Sequence, residues 1–157
     1  TGVQTCALPI FPLVGGGTPI TLASASQAEF SPDGKYFSYI SNESGRAEVY
    51  VQAVPPATGK WQISTNGGTQ SAWRRDGREL YYLSATGMMA ADVSTAGTFS
   101  AGVPRSLFPT AFAGYGFVRP YDVSSDGQKF LIWRAIDDSG DAPITVVLNW
   151  WAALKKK

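Results

Sequence analysis

Three short segments of this chain repeat one pattern: Asp-Gly, preceded two places earlier by a serine or arginine and followed by an apolar run. They begin at Ser31, Arg74 and Ser124, and their aspartates, Asp33, Asp76 and Asp126, stand 43 and 50 residues apart. Asp-Gly at these places suits a hairpin turn with glycine in the left-handed region. Gly34, Gly77 and Gly127 take that conformation without a Cβ penalty. Pro32 pre-sets the second turn position in the first copy, whereas Ser125 stands there in the third and weakens the signal. A unit that recurs at such a period cannot bury its apolar surface alone and must stack on copies of itself.

The strands after the turns do not alternate. Tyr36, Phe37, Tyr39 and Ile40, then Leu80, Tyr81, Tyr82 and Leu83, then Phe130, Leu131, Ile132 and Trp133 form nearly continuous apolar runs. A strand with one wet face alternates, so these runs imply cover on both faces. With the period, this predicts an all-β fold, a β-propeller fragment of about three four-stranded antiparallel blades, the last lacking its outer strand. Strands are expected over 27–30, 35–41, 48–53 and 61–64 in the first blade. The second takes 70–73, 79–84, 88–93 and 105–108, and the third 121–123, 129–134 and 144–148. The blades then span about 24–66, 67–110 and 118–150. Residues 111–120 read as an inserted loop, and 19–22 as the outer strand of a preceding blade. The 17 glycines and 10 prolines suit many short strands joined by turns.

The chain has no histidine, which removes the commonest general base, the commonest metal ligand and any Ser-His or Cys-His pair. Cys6 is its single cysteine, so neither an internal disulfide nor a cysteine-rich zinc site is expected. A net charge of +1 argues against a nucleic-acid partner, and the only basic run, Lys155 to Lys157, reads as a solvated end. No apolar stretch approaches the ~18 residues needed to span a bilayer, so no membrane contact is expected of this segment.

Residues 1–10 read TGVQTCALPI. Back-translated, they resemble a widely used sequencing-library adapter read in frame. They are expected to be disordered and foreign to the fold, and the chain to be a piece of a longer one.

The segment from Ala28 to Gly45, with its Ser-Pro-Asp-Gly turn and Asn-Glu-Ser-Gly second turn, resembles the repeats of TolB-like six-bladed propellers. The resemblance covers roughly residues 18–157. Residues 59–70, the Trp73-to-Gly77 turn and the ending 143–150 resemble the last blades of a subfamily. In it, such propellers often follow a bacterial serine/threonine kinase domain or a DNA-binding regulatory domain. The resemblance implies an extracytoplasmic or periplasmic location, with the remaining blades in the parent chain.

Asp137, Asp138 and Asp141 form the one dense carboxylate group, a weak candidate for Ca²⁺ but lacking the twelve-residue loop and its terminal glutamate. An ordinary solvated turn is the simpler reading. Asp33, Asp76 and Asp126, with their glycines, read as turn formers. Arg74, Arg75 and Arg78 flank one turn and could grip an anionic partner. Tyr115 and Phe117 sit in the inserted loop, where aromatic side chains suit either recognition or packing. No catalytic residue and no cofactor is expected. The function read from the sequence is a non-catalytic module binding a protein or small-molecule ligand; the alternative is the regulatory propeller of a kinase whose catalytic domain lies upstream.

Three blades leave two blade faces without neighbours, and an edge strand near residue 145 presents unpaired backbone groups. Residues 11–157 alone are therefore expected to self-associate or to lack a sharp thermal transition. A monodisperse monomer in sedimentation, with cooperative unfolding, would contradict this.

Overall fold

The computed structural model describes residues 7–10, 20–54, 59–110, 119–133 and 145–148, and these contain only strands and turns. Strands β1 (Ala7–Ile10) and β2 (Ile20–Ala23) pair with each other. The first four-stranded sheet runs β3 (Ala25–Phe30), β4 (Tyr36–Ser41), β5 (Glu48–Ala53) and β6 (Lys60–Gln62) in chain order. The second holds β7 (Thr69–Trp73), β8 (Glu79–Ser84), β9 (Gly87–Ser94) and, also paired to β9, both β10 (Ser100–Ala101) and β11 (Arg105–Pro109). The third is β12 (Tyr121–Val123), β13 (Lys129–Ile132) and β14 (Thr145–Leu148). Every pairing is antiparallel. Among the described residues, no helix is long and apolar enough to cross a membrane.

The expected strands are found with their ends moved by one or two residues. The third sheet has three strands among the described residues. One expectation is corrected. Ala7–Ile10, read as foreign to the fold and disordered, pairs residue for residue with Ile20–Ala23, and Ala23, Leu22, Thr21 and Ile20 are its partners. An apolar tetrapeptide beside a free strand edge finds backbone partners whatever its origin. Ser24 alone separates β2 from β3, in a left-handed conformation (φ 59°).

The sheets stack face to face. Tyr36, Ile40, Val49 and Val51 of the first pack with Trp73, Leu80, Tyr82 and Val93 of the second. Ala72, Tyr81, Leu83 and Met88 pack in turn with Tyr121, Phe130 and Ile132 of the third. Strand β4 is buried along its whole length and β8 along all but its last residue, which is what their unbroken apolar runs require. Strand β13 differs: Phe130 and Ile132 are buried while Lys129 and Leu131 are exposed. Its run predicts two covered faces, but only the second sheet covers it among the described residues.

The three turns share one geometry. Gly34, Gly77 and Gly127 have φ of 70°, 71° and 71°, and each donates its N–H to the carbonyl three residues back. Asp33, Asp76 and Asp126 each accept the backbone N–H two residues on. The third turn closes like the first without its proline. Around Gly34 a Cβ would meet nothing, whereas at Gly127 it would lie 2.7 Å from the Tyr81 hydroxyl and 3.0 Å from Arg74 Cδ. Gly34→Ala is thus expected to cost about 1 kcal/mol from backbone strain alone. Gly127→Ala should add an overpacking penalty of about 1–3 kcal/mol. Equal urea midpoints for the two variants would show that the third turn does not seat on the second sheet as described.

Candidate functional site

At the turn end of the sheets the three hairpins lie side by side. A Cβ on Gly77 would stand 3.9 Å from Pro32 of the first turn, and Gly127 abuts Arg74 and Tyr81 beside the second. An open cleft of about 410 Å³ between the second and third turns is lined by Arg75, Asp76, Ser125 and Asp126. The aspartates here are turn braces. Ser124 donates its hydroxyl to Asp126 Oδ1 at 2.5 Å and the Gln128 N–H adds a second bond at 2.9 Å, and together they hold the carboxyl below its ordinary range. In the first turn burial opposes ionisation of Asp33, but the Ser31 hydroxyl and the Lys35 N–H outweigh it, and this carboxyl too is lowered.

The arginines read as one partner surface divide. Arg74 is turned inward: its Nη2 lies 3.1 Å from Asp76 Oδ2, its Nη1 donates to Glu79 Oε2 at 3.0 Å, and its Nε is buried without a hydrogen bond. It serves the fold, so the three-arginine surface shrinks to Arg75 and Arg78, which are exposed. Glu79, buried at the start of β8, also accepts the Tyr81 hydroxyl at 2.7 Å and an ion pair from Arg105. Burial and this carboxylate push the Tyr81 phenol far up. Arg105 reaches on to Asp92 at 2.8 Å. Glu48 is the first sheet's counterpart: its carboxylate binds Arg46, the Ser64 hydroxyl and the Gly67 N–H. Burial, with Glu48 nearby, pushes the Tyr82 phenol up to about 12.

Tyr115, Phe117, Asp137, Asp138 and Asp141 lie outside the described residues. Among the described residues, no group of three or more acidic, cysteine or histidine side chains is placed to hold a metal ion.

A second cluster was not foreseen. Six places before the turn aspartates stand Gln27, Gln70 and Pro120. Both glutamines are left-handed, with φ of 54° and 57°, and each sits where its strand's pairing register shifts. A non-glycine residue in that region marks a strained, specified backbone. Gln27 Oε1 accepts the Gln70 N–H at 3.0 Å, and the Tyr121 hydroxyl donates to the Gln70 carbonyl at 2.6 Å. Trp73 Nε1 donates to the Glu29 carbonyl at 3.2 Å and the Ser71 hydroxyl to Ser38 at 3.0 Å. Arg119 Nη1 pairs with Glu29 of the first sheet and bonds the Ser71 carbonyl of the second at 3.3 Å. The recurrence of glutamine 43 residues apart was a visible signal; nothing in the sequence marked Arg119, which falls inside the stretch read as a loop.

Stacked antiparallel sheets of this order are blades of a β-propeller. No family model and no curated protein matches the chain. Among solved structures, an oligogalacturonate lyase of Vibrio parahaemolyticus superposes with a TM-score of 0.50 at 16% identity. The match covers 83% of this chain and 36% of the lyase. A protein of Agrobacterium tumefaciens assigned as TolB gives 0.49 at 22% identity, over 82% of this chain and 46% of its own. An acylaminoacyl peptidase of Pyrococcus horikoshii gives 0.42 at 18%, over 92% and 20%. This chain thus spans less than half the length of each of these proteins, and the likeness is one of fold.

Glu79→Ala should cost about 2–4 kcal/mol, since it takes a buried carboxylate from two arginines and from a buried phenol. Asp92→Ala, which removes a side chain that is 74% exposed, should cost under about 1 kcal/mol. Chemical denaturation of both decides it; similar costs would mean that Glu79 does not organise the second sheet.

Proposed function

We propose that this chain is a run of consecutive blades from a TolB-like propeller, acting as a non-catalytic binding module for a protein or small-molecule ligand. The observation that carries this reading is the use made of the buried carboxylates. Glu48 and Glu79 are each bonded to several structural partners, so neither is placed to shuttle a proton. The missing histidine points the same way. Arg75, which lines the open cleft, and Arg78 are both exposed and supply a surface for contact. By the same resemblance the module works on the extracytoplasmic side, which fractionation of cells carrying the tagged parent protein would test.

The second reading, that the blades follow a serine/threonine kinase domain, is favoured by the resemblance of 59–70, 73–77 and 143–150 to propellers of that arrangement. A kinase catalytic-loop motif in the upstream coding sequence would establish it.

The purified chain is expected to leave oligogalacturonate intact, read as the absorbance of unsaturated product, and to transfer no phosphate from ATP. Reproducible turnover in either assay, abolished by substitution within this chain, would overturn the non-catalytic reading.

A further inference from the structure

We propose that Arg119 is an anion-binding residue whose internal partner, Glu29, holds the place of an external carboxylate, so that the first strands of the three blades form a site for a carboxylate-bearing ligand. This deepens the binding-module reading and rests on it.

The repeat itself singles out Arg119. Seven places before the turn aspartates, the first two blades carry Ser26 and Thr69, short hydroxyl residues; the third carries a long cation. The next position changes too. Pro120 stands where Gln27 and Gln70 stand, and it has no N–H to offer a preceding glutamine as Gln70 does. The third blade thus gives up the repeat's backbone contact at the point where it gains a guanidinium.

That guanidinium is under-used. Among the described residues, both of its hydrogen bonds leave from Nη1, one to a single Glu29 oxygen and one to the Ser71 carbonyl. A guanidinium is a planar fork suited to two parallel bonds with one carboxylate, and a grip through one nitrogen leaves that geometry open. The side chains of Arg119 and Glu29 are 33% and 37% exposed, so water reaches the pair and an incoming anion can compete for it. The mount is firm. The Tyr121 ring lies 5.6 Å from the guanidinium carbon, and its buried hydroxyl is fixed to the Gln70 carbonyl. Displacing Glu29 would therefore free one carboxylate to solvent without rebuilding the strands.

Calorimetric titration of the whole chain with citrate and with acetylated tetraglutamate tests this. Both are expected to bind, and the tighter probe identifies a small acid or an acidic peptide as the source of the carboxylate. Glu29→Gln should tighten binding by about threefold or more, because an internal competitor reduces apparent affinity by the fraction of time it holds the site. Arg119→Lys, which keeps the charge and loses the fork, should weaken it about tenfold. No binding to Glu29→Gln, or affinity unchanged in that variant, overturns the proposal even where Arg119→Lys fails to fold. If titration fails while the turnover assays remain at baseline, the site is lost and the module reading stands.

Discussion

The structure depends on side chains and backbone groups of one blade reaching back to the first two strands of the blade before it. The Gln70 N–H, Ser71 hydroxyl and Trp73 indole of the second blade donate to Gln27, Ser38 and the Glu29 carbonyl of the first. Tyr121 and Arg119 of the third donate to the carbonyls of Gln70 and Ser71. In each of these bonds the donor belongs to the later blade, whereas away from the first strands the Tyr36 hydroxyl of the first blade donates to the Gly97 carbonyl of the second at 2.8 Å. Stacked apolar faces supply the attraction between sheets but no direction; these polar contacts fix which edge meets which and at what register. One repeat unit cannot bury its apolar faces without stacked neighbours, so the bonds that set the stacking also set the fold.

At the opposite ends of the same strands the turns solve a related problem. Each tight reversal leaves backbone N–H groups pointing away from any ladder, and an aspartate two residues upstream takes one of them. The first and third turns add a serine hydroxyl, and the second adds Arg74. That exchange turns a local brace into a link, because Arg74 also carries Glu79 and packs under the third turn. One of the three arginines that read as a partner surface in the sequence is for this reason spent on the interior.

Most of the fold was legible because Asp-Gly turns and unbroken apolar runs are local signals, and the repeat made each confirm the others. Three features were not legible, for different reasons. Left-handed backbone at Gln27 and Gln70 carries no residue signature, since glycine or asparagine is the usual marker. Arg119 acts across three blades, and its partner Glu29 is 90 positions away. The apolar run in β13 records the faces a strand is suited to bury, whereas exposure of Leu131 records which neighbour lies on it.

The one-way sense of the bonds made at the first strands has a consequence for how the chain matures. A donor on a later blade finds its acceptor already in place when synthesis proceeds from the N-terminus, so each blade can template the bulge and register of its successor as it emerges. The reverse arrangement would leave every new first strand waiting on chain not yet made. Circular rearrangements that put the third blade ahead of the first would keep every contact of the finished molecule and lose that order of assembly.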